Sequence, residues 1–212
     1  MERKKAIKTL STIYLVFGLF LFFIAFATLA ISFYPQIWYS IDKEASNSEL
    51  TTLKKDIKNI DTSEVEDKDS FAIPAFDESL PKENKIVISI IGVNSDLVEN
   101  DNADEGLKKG IWIVPNFGTP ESNNLPIIIA AHRFGYIEWT KEFRETSSFY
   151  NLPKLKSGDR VQIIWNQRSY EYEVYKSEDN TQITDYNADL ILYTCRMYNS
   201  PVRVFKYLDR VK

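Results

Sequence analysis

Three regimes of hydrophobic patterning divide the chain. From residue 10 to residue 33 nearly every position is apolar, interrupted only by Ser11, Thr12, Gly18, Thr28 and Ser32. As a helix this run would span about 36 Å at ~1.5 Å per residue, enough to cross a bilayer. Residues 40–84 are polar and charged, with Leu50, Leu53, Ile57 and Ile60 at helical spacing. That predicts a short amphipathic helix within a spacer, whose stretch around 61–70 is too charged to pack. Beyond Pro81 short apolar runs are separated by turn residues, and strands are predicted over 86–93, 110–114, 125–131, 160–165, 170–175, 181–184, 188–194 and 203–208.

Two of these runs are informative in detail. Tyr170-Glu171-Tyr172-Glu173-Val174-Tyr175 alternates as a half-buried antiparallel strand does, whereas Ile127-Ile128-Ile129 reads as buried on both faces. Ser157-Gly158-Asp159 and Asn166-Gln167 are turn signals. Residues 134–150 carry the weakest pattern, with a helical turn expected around 138–144. About eight short strands without a long helix predict a mostly all-β domain, a closed or nearly closed eight-stranded β-barrel with short helical turns. The expected organisation is a basic tail (1–9), a transmembrane signal-anchor helix (10–34), a polar, partly helical spacer (35–84) and the β-barrel domain (85–212).

Charge orients this plan. Arg3, Lys4, Lys5 and Lys8 precede the apolar run, and Tyr34, Trp38 and Tyr39 follow it, so the tail is expected in the cytoplasm and the aromatic residues at the far interface. Ala25-Phe26-Ala27 also has the small-x-small shape of a signal-peptide cleavage site, although the apolar run continues to Phe33. Either way the barrel lies outside the cytoplasm. The first 35 residues hold four of the 26 Lys and Arg and one of the 30 Asp and Glu, leaving a formal charge of −7 for the rest. No basic patch points to nucleic acid. With one cysteine in the chain, no internal disulfide can form, and a lone thiol in an oxidising compartment suggests a use for it.

That thiol, Cys195, closes the apolar run 188–195; the sole histidine, His132, closes 125–132; and Arg203 opens 203–208. Taken singly, a histidine at a strand end is usually structural, a buried cysteine inert and an edge arginine a solvated charge. Together they are the minimum set for acyl transfer through a thioester. A free thiol of pKa ~8.5 is only about 3% thiolate at pH 7, so Cys195 needs a neighbour that accepts its proton or stabilises its charge. His132 is the one imidazole available. It serves either as neutral base or as imidazolium, and the sequence leaves both open. Arg196 competes with Arg203 for the role of cation, but on an extended strand it points away from the side Cys195 faces. Arg133 reads as a surface or loop-anchoring residue.

The flanking residues, Ile129-Ala130-Ala131-His132-Arg133 and Leu190-Ile191-Leu192-Tyr193-Thr194-Cys195 followed by Arg203, resemble the motifs of the sortase family. Ala131 stands where glycine is commoner, Tyr193 takes the variable position of the cysteine motif, and Leu190 and Ile191 vary the residues before it. The similarity extends to residues 110–115 and 152–159 and covers roughly 85–212. The resemblance implies a sortase-like β-barrel and a membrane-anchored cysteine transpeptidase. Its catalytic residues would be His132, Cys195 and Arg203, with a thiolate–imidazolium pair as a minor species, and Thr194 would help shape a substrate groove. The implied reaction cleaves an LPXTG-like sorting signal between Thr and Gly. It then passes the acyl group from a Cys195 thioester to an amine of a cell-wall precursor or a pilin lysine. No cofactor or metal is expected; some sortases use calcium, and no ligand cluster here demands it. Two other readings stay open, a membrane-anchored cysteine peptidase in which water resolves the thioester and a non-catalytic wall-associated β-domain.

Overall fold

The computed structural model describes residues 2–41, 72–122, 125–197 and 200–211. The apolar run forms the middle of one helix, α1 (Glu2–Ile41). Within it Ile7–Ile31 is long and apolar enough to cross a membrane, and its side chains are exposed. The predicted amphipathic helix around Leu50 to Ile60 lies outside the described residues.

Eight strands follow: β1 (Lys85–Ile88), β2 (Val93–Glu99), β3 (Ile111–Ile113), β4 (Ile127–Ala130), β5 (Arg160–Trp165), β6 (Arg168–Asn180), β7 (Leu190–Cys195) and β8 (Arg203–Arg210). They close into a barrel in the order β1-β2-β3-β4-β7-β8-β6-β5. Two short helices, α2 (Ala103–Lys109) and α3 (Lys141–Thr146), lie in the connections. The chain folds as a mostly β barrel behind an apolar N-terminal helix, as its patterning predicts.

Alternation along the strands builds two apolar layers. Ile127, Ile129 and Ala131 on and after β4, Leu190 and Leu192 on β7, and Leu208 on β8 join the packed barrel interior with Ile86, Val161, Tyr172 and others. The intervening residues, Ile128 and Ala130, Ile191 and Tyr193, and Phe205 and Tyr207, face outward into a second layer. That layer is covered by Leu107 of α2 and by Ile183, Tyr186 and Ala188 of the β6–β7 connection. The expected burial of Ile127-Ile128-Ile129 on both faces therefore has two different partners.

Three elements differ from the pattern reading. The single strand expected over 86–93 is two, because a 3₁₀ turn at Ser89–Ile91 and Gly92 at φ +79° reverse the chain into a β1–β2 hairpin. The strand expected over 181–184 is a connection instead, and β6 extends through Asn180, past an irregularity between Val174 and Lys176. Helix α2 was hidden in an apparent loop. Asn102 caps it by accepting from the Asp104 and Glu105 amides, and Gly106 lets it lie on the Trp112 ring, which a Cβ there would meet at 2.4 Å.

Candidate functional site

The site follows from register. Strand β4 runs parallel to β7 with Ala130 opposite Tyr193, and the Ala131 amide continues the ladder to the Tyr193 carbonyl at 3.4 Å. His132, two positions past Ala130, is thus carried to the level of Cys195. On the other side of β7 the antiparallel β8 places Arg203 directly opposite Cys195. By alternation all three belong to the outer layer, at the end of the barrel where β4 and β7 finish and β8 begins. Cys195 is partly exposed and Arg203 half-buried, while His132 is only 3% exposed.

Burial decides the state of the imidazole. Desolvation, and after it the charge of nearby Arg203, lowers the His132 pKa from 6.5 to about 4. At neutral pH the ring is uncharged and able to take a proton. Its backbone is pinned where its carbonyl accepts from the Phe149 amide at 3.1 Å. The Arg203 Nη1 donates to the Ser200 carbonyl at 2.5 Å, tying the guanidinium to the β7–β8 connection.

The neighbouring cations have other duties. Arg196 pairs through Nε with Asp179 of β6 at 3.0 Å, and its amide donates to the Val202 carbonyl at 2.9 Å. Arg133 donates to the Arg196 carbonyl and lies over the Phe134 ring at 5.2 Å, so it fastens the loop after β4 to the loop after β7. Thr194 points the opposite way from Cys195, is 1% exposed, and donates its hydroxyl to the Ala131 carbonyl at 2.7 Å. The side chain is therefore a tie between β4 and β7 beneath the site.

The β6–β7 connection walls the same outer face. Glu178 at the end of β6 accepts from the Thr184 and Tyr207 hydroxyls and pairs with Lys176 at 3.2 Å, while the Thr184 amide donates to the Tyr207 hydroxyl at 3.1 Å. Burial alone would raise the Glu178 pKa, but the hydrogen bonds from Thr184, Tyr207 and Lys176 outweigh it and hold the carboxyl below its ordinary value. A cluster missing from the sequence reading sits over the histidine, formed by Tyr136 and Trp139 with Phe134 and Phe143 against them. The two tight aromatic positions four and seven residues past His132 were the available signal, obscured by the lack of regular periodicity in that stretch. Among the described residues no group of three or more His, Cys, Asp or Glu is placed to hold a metal ion.

Comparison with known proteins accords with this fold. The Sortase domain profile matches residues 86–211. A search of curated proteins gives no match. Among solved structures, sortase A from Corynebacterium diphtheriae is 19% identical, with 88% of this chain and 93% of that one covered and a TM-score of 0.51. A lid mutant of the same protein is 22% identical over 62% of this chain and 71% of that one, also at 0.51. Sortase C-1 from Actinomyces oris is 18% identical, with coverages of 71% and 94% and a TM-score of 0.51. At these identities the structural likeness establishes a shared barrel fold.

Proposed function

The chain belongs to the sortase family, a family of cysteine transpeptidases, and on that premise we propose that it cleaves an LPXTG-like sorting signal between Thr and Gly and transfers the acyl group to an amine. The observation that carries this reading is the register that puts the sole thiol, the sole imidazole and a guanidinium at one end of one sheet face. In the resting site the imidazole is neutral. His132 takes the Cys195 proton, and the thiolate attacks the threonine carbonyl carbon. The developing oxyanion is met by the Arg203 guanidinium. As the C–N bond breaks, the His132 imidazolium protonates the departing glycine amine, leaving a thioester on Cys195. An incoming amine, of a cell-wall precursor or a pilin lysine, attacks the thioester and returns its proton through His132 as the thiolate leaves. A new amide forms and the enzyme is restored.

Helix α1 supports a membrane location, with its basic end cytoplasmic and the barrel outside. Holding enzyme, anchored substrate and lipid-linked acceptor in one thin layer raises their effective concentration. The test uses the full chain in detergent micelles with an LPXTG-like peptide, with and without a triglycine amine. Mass spectrometry should find the peptide's acyl part on Cys195 and a ligated product only when the amine is present, and Cys195→Ala should show neither. Hydrolysis without ligation at any amine concentration would make the protein a peptidase; no adduct and no cleavage with any sorting-signal variant would remove the catalytic reading.

A further inference from the structure

The residues after His132 fold back over the imidazole rather than away from it. Gly135 turns the chain at φ +72°, a conformation glycine adopts freely, and a Cβ there would strike the Trp139 ring at 2.2 Å. The turn lays Tyr136 edge-on against His132, with ring centroids 5.3 Å apart and planes at 80°, and brings Trp139 within 6.3 Å of the same ring. The phenol oxygen of Tyr136 lies 3.3 Å from His132 Nε2 in a buried contact. This placement is held from several directions. The Tyr136 carbonyl accepts from Arg144 Nη2 at 2.8 Å and from the Trp139 amide at 3.2 Å, and Trp139 Nε1 donates to the Lys108 carbonyl of α2 at 3.2 Å.

A phenylalanine would fill the same space. The hydroxyl adds one thing, a polar atom addressed to a particular ring nitrogen, and in an imidazole the hydrogen bond made by one nitrogen fixes which nitrogen carries the proton. We propose that Tyr136 is a positioning residue for His132: its hydroxyl accepts from Nε2–H, which leaves the Nδ1 lone pair to take the proton of the Cys195 thiol. In that step the proton passes from Sγ to Nδ1, Nε2–H stays in place, and the resulting imidazolium keeps its hydrogen bond to the phenol oxygen. The contact therefore favours the charged ring over the neutral one and works against the desolvation around it. At 3.3 Å it is long, as such bonds are before substrate closes a site.

The inference rests on the proposed roles of His132 and Cys195, and its test separates the two. His132 is the only histidine in the chain, so the imidazole ¹⁵N signals of the full chain in micelles belong to it alone. In a Cys195→Ala background at pH 7 those signals should report the Nε2–H tautomer. Adding Tyr136→Phe should mix the tautomers and move the titration to lower pH. In the otherwise unaltered enzyme, Tyr136→Phe should lower kcat about tenfold with KM unchanged, the size of one pKa unit lost from the imidazolium partner. An Nδ1–H tautomer in the Cys195→Ala background, or a Tyr136→Phe enzyme with tautomer, titration and kcat all unmoved, overturns the proposal. If His132→Ala itself keeps full activity, the reading of the whole site fails; if His132→Ala is inactive while Tyr136→Phe is silent, only the positioning role does.

Discussion

At the scale of single residues, His132 is an imidazole held where burial, and after it the charge of Arg203, lower its pKa from 6.5 to about 4. The folded protein resists a proton that the unfolded chain accepts below pH 6.5. Stability should therefore fall as pH drops through that value, and the loss should be complete below about pH 4. The shift corresponds to on the order of 3 kcal/mol. Urea unfolding at pH 7, 5 and 4 should show this decline in the native chain, over and above the carboxylates, and a shallower one in His132→Gln. Cys195 and His132 were legible because the chain holds one thiol and one imidazole, whereas Arg203, one of three arginines that open strands, stood out through its offset from the cysteine. Tyr136 was not legible, since the aromatic positions after His132 lack the regular periodicity that would show the chain doubling back onto its own histidine.

At the scale of elements, the site is a consequence of where strands stop. Thr194 and Cys195 are neighbours with opposite fates, one tied inward to the Ala131 carbonyl at 2.7 Å and the other turned outward. Thr194→Val keeps shape but leaves that buried carbonyl without its donor, so it should cost about 1–3 kcal/mol in chemical denaturation. Sheet elements with strong alternation, such as β5 and the first half of β6, were readable to within a few residues. The β1–β2 hairpin was not, because Val93-Asn94-Ser95-Asp96-Leu97 alternates buried and exposed with so many polar residues that it resembles a loop. The apparent strand at 181–184 failed for the opposite reason: Ile183 is buried by packing on the outer face of the barrel rather than by pairing in it.

At the scale of the whole molecule, the chain enters the barrel at the end remote from Cys195. The Asp77 amide donates to the Gln167 carbonyl at 2.9 Å in the β5–β6 turn, Gln167 donates to the Leu80 carbonyl at 3.1 Å, Arg168 reaches the Pro74 carbonyl and Arg210 the Ala72 carbonyl at 3.1 Å. Arg210 ends the strand that Arg203 begins, so strap and thiol occupy opposite ends of β8. These partly exposed hydrogen bonds should each contribute modestly. A fragment beginning at Lys85 is expected to be less stable than one beginning at Ala72 by about 2 kcal/mol in urea unfolding, with the barrel's circular dichroism spectrum retained.

The amino-acid order alone determined the membrane-length helix, the predominance of strands, the charge balance and the single thiol and single imidazole, because each is written in local composition or in residue types too few to be confused. Tertiary structure decided the rest. Parallel pairing of β4 with β7, and antiparallel pairing of β7 with β8, brought together residues that are 63 and 8 positions apart, and the folding of the following loop set how dry the imidazole is. Those outcomes depend on register and desolvation, which arise only when distant segments share one surface.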